Sequence, residues 1–211
     1  MFIFLYITNK KRCLENINFI IINLFLVIFT IKEDEFNSSC ENEISSISIE
    51  EENELKIQIT KSIISVLTEL IEKNQKNINN NNLNFDDDIF NSKSIPNIST
   101  YDYLLRIIEF SNIEENTLIL SLIYIDKIAR IKKITKYNIY KYLITSVLIA
   151  LKYNEDEIYN NNYYSQIGGI NYEEIMQLEL NFLVLIDFNV YINNKTFEQY
   201  KSALQLLINN N

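Results

Sequence analysis

YLITSVLIALKYNEDEIYNNNYYSQIGGI, residues 142–170, joins an apolar helical segment to a polar, tyrosine-rich segment that ends in Gly168 and Gly169. These are the two glycines of the 211-residue chain. A glycine pair used nowhere else indicates a backbone that needs a positive φ or a close approach, most simply at the end of a helix. The stretch therefore predicts a helix, a polar connection and a second, short helix at 163–169 that stops at the glycines.

The low content of turn-forming residues indicates the fold class. The chain has 2 Gly and 1 Pro, too few for the hairpins of an all-β sandwich or barrel. Its 47% hydrophobic residues can fill one sizeable core. Ile, Asn, Lys and Tyr are in surplus throughout, so we discount the β-propensity of Ile and Tyr. We predict an all-α protein with one main domain.

Hydrophobic periodicity predicts the individual helices. Residues 54–74 carry an apolar stripe at spacings of three and four, which is typical of an amphipathic helix. An Asn- and Asp-rich loop is expected at 75–93. Four helices of the main body are predicted in this way, at 101–110, 118–128, 137–153 and 171–188; the short helix that stops at the glycines, 163–169, is the fifth, and an amphipathic helix follows at 196–208. The second and third of these are apolar on nearly every side, so other helices must surround them.

Two capping signals support these boundaries. Ser99 or Thr100 can cap the helix at 101–110, because a short hydroxyl side chain there can accept from a free backbone N–H. Asn171 and Glu174 have the spacing of a capping box. Both signals precede apolar segments, as helix starts do.

The first 53 residues form an extension that is apolar and then acidic. Residues 17–31 are 15 mostly apolar positions, short of the ~20 that a spanning helix needs, and they follow the basic residues 10–12. A membrane anchor, a poorly structured extension and an incorrect start of the reading frame all stay open for residues 1–31. Residues 37–53 are rich in Ser, Glu and Asn and are predicted to be loose.

Composition argues against an enzyme. The chain has no His, which removes the commonest general base and metal ligand, and it has no glycine-rich phosphate loop. The acidic triplet at 86–88 lies in an Asn tract and is expected to be solvated. We therefore predict no catalytic residue, no cofactor and no metal site.

The net charge limits the kinds of partner that we expect, and the cysteine content indicates the compartment. The net charge of -9 argues against nucleic-acid binding, which requires clustered Lys and Arg. Cys13 and Cys40 both lie in the first fifth of the chain and give no sign of an oxidising compartment. We expect an intracellular protein of the cytoplasm or nucleus, with membrane association through the N-terminus as the alternative.

Three charged residues interrupt apolar faces. Lys152 ends the apolar helix at 137–153, where the helix dipole favours a cation. Glu179 shares a helix face with apolar residues and would be costly to bury without a partner. Lys152 and Glu179 can pair if their helices pack together, either as an internal structural ion pair or as a functional one. Asp126 similarly interrupts an apolar run, and Arg106 is its candidate counter-ion.

Four segments, in order, resemble pieces of a known family. They are SIPNISTYDYLLRI, TLILSLIYIDKI, YLITSVLIALKYNEDEIYNNNYYSQIGGI and MQLELNFLVLIDFNVYI, at 94–107, 117–128, 142–170 and 176–192. They are similar to the single-box P/U-type cyclins, the fungal phosphate-pathway cyclins and their plant and protist relatives. The resemblance covers about residues 90–200. It implies a five-helix cyclin box at 94–192, preceded by the helix at 54–74 and followed by a C-terminal helix and tail at 193–211.

The resemblance also implies a function and a site. It implies a non-catalytic subunit that binds a cyclin-dependent Ser/Thr kinase as a heterodimer and activates it by holding the kinase αC helix in its active position. The kinase-binding residues that it implies are Ile149, Lys152, Tyr153, Glu179, Leu183, Ile186 and Phe188. The alternative is a cyclin-fold adaptor or scaffold without kinase activation, tethered to a membrane through residues 17–31 in one version.

Overall fold

The computed structural model describes residues 49–78 and 88–209, and within these ranges it contains seven α-helices and no strand. The all-α prediction is confirmed. The helices are α1 Ile49–Ile78, α2 Thr100–Ser111, α3 Glu115–Ala129, α4 Ile139–Asn154, α5 Asn161–Gly168, α6 Tyr172–Leu185 and α7 Asn194–Asn209. The five helices predicted for the main body are α2 to α6.

The first helix is longer than the sequence pattern predicts. α1 begins at Ile49 and ends at Ile78, beyond both limits of the predicted 54–74 helix. Most of the predicted extension at 1–53, including the apolar segment 17–31, lies outside the described residues, as does the middle of the loop expected at 75–93. Of the helices in the described ranges, none combines the length and the apolar character needed to cross a bilayer.

Two apolar helices form the centre of the fold. Ten consecutive residues are buried in each, 117–126 in α3 and 142–151 in α4. α3 packs along α4, and α2, α5 and α6 cover the other sides of α4. α1 and α7 pack against each other and against α3. The prediction that these two helices are surrounded is confirmed.

Asparagine and serine side chains start the helices of the main body. Ser99, Asn160 and Asn171 each accept a hydrogen bond from the backbone N–H three residues ahead, at 3.0, 3.0 and 2.7 Å. Each such cap contributes about 1 kcal/mol. The capping box at Asn171 is half formed, because the Glu174 carboxylate binds Lys141 at 2.9 Å instead of reaching back to the cap.

The glycine pair ends α5, as predicted. Gly169 has a φ of 67°, the left-handed conformation that a side chain disfavours. Gly168 is needed for space, because a Cβ there would lie 3.0 Å from Cγ1 of Ile144 on α4. One glycine therefore reverses the chain and the other lets α5 approach the central helix.

The buried Asp126 joins α3 to α7. Its carboxylate is 1% exposed and accepts from Tyr200 Oη at 2.6 Å and from Arg130 Nη2 at 2.9 Å. Burial, and next the Asp126 charge, raise the pKa of Tyr200, so its hydroxyl remains a donor. The prediction that Arg106 is the counter-ion of Asp126 is wrong. Arg106 donates to the carbonyl of Gln166 on α5. The counter-ion is Arg130, which lies one helical turn from Asp126.

The linker before α2 contributes to the core, which the sequence pattern did not predict. Phe90 is 1% exposed and stacks on Tyr142 of α4, with ring centroids 4.2 Å apart. Phe182 of α6 meets both rings edge-on at 6.2 Å. Within the described part of the chain, the buried Tyr142 hydroxyl has no hydrogen-bond partner. The ring of Tyr142 is therefore well packed while its hydroxyl is not satisfied.

Two tyrosine-to-phenylalanine changes should have opposite effects on stability. Tyr200→Phe removes a donor from the buried Asp126 carboxylate and should lower the free energy of unfolding by about 1–3 kcal/mol. Tyr142→Phe removes an unsatisfied buried hydroxyl and should leave that free energy unchanged or raise it. Urea denaturation followed by circular dichroism measures both; equal losses would contradict the hydrogen bonding described.

The loss of stability on substituting Gly169 should depend on how well the new residue tolerates the positive φ at this position. A Cβ at Gly169 would meet nothing within 4 Å, so the cost of Gly169→Ala comes from the positive φ and should be about 1–2 kcal/mol of unfolding free energy. Gly169→Asn should cost less, because Asn tolerates this conformation better. The same denaturation measurement checks the order; an Asn variant as unstable as the Ala variant would speak against a left-handed stop.

Candidate functional site

Lys152 and Glu179 form an ion pair at the surface. Lys152 is the first exposed residue after the buried run of α4, and its Nζ lies 2.6 Å from Oε1 of Glu179 on α6. The two side chains are 33% and 14% exposed. The structure thus brings together the two charges that the sequence predicts to pair, at a point where a partner molecule can reach them.

A third polar side chain holds the glutamate. Asn161, the first residue of α5, donates from Nδ2 to the second carboxylate oxygen of Glu179 at 2.9 Å. The same Nδ2 lies 2.9 Å from Sδ of Met176. The sequence pattern did not single out Asn161, because it lies in a run of asparagines without periodicity. Both oxygens of Glu179 therefore have a protein donor.

Exposed apolar side chains surround this polar centre. Four of them lie at every fourth position of α6: Tyr172, Met176, Leu180 and Val184. The other two are Tyr153, in the last turn of α4, and Phe188, just after α6. Each is between 42% and 59% exposed. Lys152, Tyr172 and Met176 also line an open cleft of about 790 Å³ that continues along the segment before α5. We call these six residues with Lys152, Asn161, Glu179 and Leu183 the α4–α6 face.

The seven residues that the resemblance implies do not all reach the surface. Lys152, Tyr153 and Phe188 are exposed, and Glu179 and Leu183 are partly exposed. Ile149 and Ile186 differ from the expectation, because they are 3% and 7% exposed and belong to the core. Their side chains lie inside the chain and support the face from within.

Tyr172, Met176, Leu180 and Val184 are missing from the predicted set. The segment EEIMQLELNFLVL has more apolar residues than one core-facing side needs, since three residues, Ile175, Leu178 and Phe182, supply its buried contacts. The excess of apolar residues over core positions was the available signal. Periodicity does not distinguish a helix side that faces the core from one that faces a partner.

Phe188 sits in a strained turn just after α6. Asp187 and Phe188 have φ values of 53° and 54°, which are unfavourable for residues with a Cβ. The turn is closed by the Phe188 N–H, which donates to the carbonyl of Leu183 at 2.8 Å. Such residues cost on the order of 1–3 kcal/mol each and persist where surrounding contacts fix them.

Two side chains of α3 fix this turn. Tyr124 Oη donates to the carbonyl of Val190 at 2.8 Å, and Lys127 Nζ donates to that of Asn189 at 2.5 Å. Partial burial, and next the charge of Arg130, lower the pKa of Lys127. The central helix therefore determines the position from which Phe188 projects.

The chemistry of this face suits binding. Its ion pair leaves two Lys152 N–H groups free of Glu179, which can donate to carbonyl oxygens of a partner. Among the residues that the structure describes, no three His, Cys, Asp or Glu side chains cluster as metal ligands would. Exposed apolar side chains gathered around a neutral charge pair make this face a candidate surface for a protein partner.

Comparison with known proteins identifies the family. The cyclin family model matches residues 57–190. Cyclin-U4-3 of Arabidopsis thaliana is 32% identical over 151 residues, covering 70% of this chain and 69% of its own. Cyclin-P3-1 of Oryza sativa subsp. japonica is 30% identical over 146 residues, covering 68% and 61%. PHO85 cyclin-like protein psl1 of Schizosaccharomyces pombe is 34% identical over 120 residues, covering 55% and 49%.

These matches confirm the resemblance seen in the sequence. The matched region runs from within α1 to just beyond α6, and helices α2 to α6 are the five helices of a cyclin box. Cyclins are non-catalytic regulatory subunits, and this property of the family supports the prediction that the chain is not an enzyme. The chain therefore belongs to the cyclin family, with its relatives among the U- and P-type cyclins.

Proposed function

We propose that this cyclin binds a cyclin-dependent Ser/Thr protein kinase through the α4–α6 face and activates it as a heterodimer. The observation that carries the proposal is the ion pair of Lys152 and Glu179 at the centre of exposed apolar side chains. The Schizosaccharomyces pombe relative is named as a PHO85 cyclin-like protein, which supports a kinase of the kind that cyclins regulate as the partner.

The apolar residues provide the driving force for binding. Fully burying one such side chain contributes ~1.5–3 kcal/mol, so the exposed stripe of α6 favours a partner that covers it. The charges contribute alignment more than affinity. Because Lys152 and Glu179 neutralise each other, a partner can cover them without leaving one buried charge unpaired.

Activation follows from binding one kinase conformation better than another. An active kinase needs an ion pair between its αC glutamate and the strand lysine that orients the ATP phosphates. A regulator shifts that equilibrium only by its differential affinity for the two positions of αC. A rigid apolar face that contacts αC in its active position supplies such a difference.

The turn at Phe188 fits this mechanism. An aromatic side chain that is already fixed loses little conformational freedom on binding, which improves affinity. The contacts of Tyr124 and Lys127 hold the turn in place before any partner arrives. Phe188 is therefore the apolar anchor of the proposed interface.

An adaptor or scaffold role differs from this proposal in one measurable property. An adaptor binds without raising the activity of its partner, whereas an activating cyclin raises phosphorylation of a peptide substrate. Assaying the kinase with and without the purified chain distinguishes the two. Binding with no gain in activity would support the adaptor.

Reversing the charge of Lys152 should abolish kinase binding. In Lys152→Glu, two carboxylates face each other at the centre of the face, so a partner would have to cover two like charges in place of a neutral pair, and like charges placed together cost several kcal/mol of binding free energy. The partner is the kinase captured from source cells by the wild-type chain and identified by mass spectrometry. Pull-down measures binding, and circular dichroism checks that the helix content is retained.

Lys133→Glu is the matched control, because it makes the same charge change at an exposed lysine of the loop between α3 and α4. It should bind as the wild type does. A Lys152→Glu variant that unfolds would show the pair to be structural. One that folds and binds fully would show that the kinase-binding face lies elsewhere.

Truncating Phe188 should weaken binding while leaving the fold stable. Phe188→Ala removes the proposed anchor, and central aromatic residues of interfaces contribute ~2 kcal/mol or more, about 30-fold in affinity. Ile131→Ala is the control, since Ile131 is 56% exposed against 59% for Phe188 but lies in the loop after α3. Surface plasmon resonance compares the two; similar affinities for both variants would argue against Phe188 as an anchor.

A further inference from the structure

We infer that Asn161 is a positioning residue of the α4–α6 face. Its amide fixes the position of the Glu179 carboxylate, and this carboxylate in turn holds the Lys152 ammonium group where a partner can bind it. The role in binding rests on the proposed function. The role in orienting Glu179 does not, because it concerns contacts within the chain.

The geometry places Asn161 between the polar and apolar parts of the face. Lys152 takes one oxygen of Glu179 at 2.6 Å and Asn161 takes the other at 2.9 Å, from helices α4 and α5. A glutamate side chain has three rotatable bonds, and a donor on each oxygen restricts both its position and its rotation. The same amide touches Met176, so one side chain also orders a member of the apolar stripe.

Asn161 is itself held by the start of α5. The preceding residue Asn160 caps the helix by accepting from the Tyr163 N–H at 3.0 Å. Asn161 is the first residue of the helix, where its backbone is fixed but its side chain makes no cap. A helix start would not by itself require an amide at this position. The hydrogen bond to Glu179, in contrast, does require an amide N–H group at this position.

An aspartate at position 161 separates this role from a structural one. Asp has nearly the shape of Asn, and a negative charge in the first turn of a helix is favourable. Asn161→Asp should therefore keep the fold, because the favourable charge at the helix start offsets part of the repulsion that the new carboxylate brings. It should nevertheless place a second carboxylate 2.9 Å from Glu179 in place of a donor, which repels Glu179 from its present position.

The test compares Asn161→Asp with Asn194→Asp. Asn194 is the first residue of α7, and Asn193 caps that helix by accepting from the Thr196 N–H at 2.9 Å, so the same change is made at the same kind of position away from the face. Affinity for the captured kinase should fall about 10-fold or more for Asn161→Asp. It should be unchanged for Asn194→Asp.

The dependence of binding on pH gives a second readout. Two adjacent carboxylates repel only when both are ionised, so their protonated form is favoured and the repulsion is lost as pH falls. The affinity deficit of Asn161→Asp should shrink as pH falls below about 5, into the range in which Asp and Glu take up a proton, while a deficit of Asn161→Ala should not. A deficit that is constant with pH in both variants would point to a packing effect and overturn the positioning role.

A measurement on the isolated chain keeps this inference separate from the proposed function. Lys152→Ala and Asn161→Ala should have non-additive effects on the free energy of unfolding, because both side chains bind Glu179. If the wild-type chain captures no kinase but the coupling is present, the proposed function fails and the orienting role stands. Additive effects together with normal binding by Asn161→Asp would overturn the inference.

Discussion

The structure depends on burying one helix completely along ten residues. From 142 to 151 every side chain of α4 is enclosed, so helices must cover it on all sides, and α2, α3, α5 and α6 do so. A helix that is apolar all round has no alternative in water, since each exposed large side chain would forfeit ~1.5–3 kcal/mol. The enclosure stops at Lys152, where α4 emerges. α4 therefore forms the centre of the core and also places the charge of Lys152 at the surface.

Two ion pairs of this protein differ in how far their side chains are exposed to solvent, and this difference matters for their roles. Asp126 is 1% exposed, and its donors tie α3 to α7, so it acts within the fold. Lys152 is 33% exposed and pairs with Glu179 beside apolar residues that remain exposed in the described part of the chain. The chemistry of the two carboxylates is the same. What differs is whether a partner can reach them: the first carboxylate acts within the fold, and the second lies where the proposed recognition would take place.

Sequence reasoning succeeded where the controlling interactions are local. The stop at Gly169 and the cap at Asn171 depend on neighbouring backbone groups, which spacing along the chain specifies. It failed for Asp126 in two ways: the local counter-ion Arg130, one turn along, was overlooked in favour of Arg106, and the donor Tyr200 comes from a distant helix that spacing along the chain does not specify. It also missed Met176, since apolar periodicity reports the total apolar surface of a helix and not which side a partner covers, and Asn161, which lies in a run of asparagines without periodicity.

The contact between Asp126 and Tyr200 has a consequence for biosynthesis. The two residues are 74 positions apart, and at ~5–20 residues per second the ribosome makes that stretch in roughly 4–15 s. During this time the carboxylate of α3 lacks one of its donors, and the apolar sides that α7 covers are open. A nascent chain of this cyclin therefore passes through an interval in which α3 is complete but the side that α7 covers is open, and exposed apolar surface of this kind makes incomplete chains prone to aggregate.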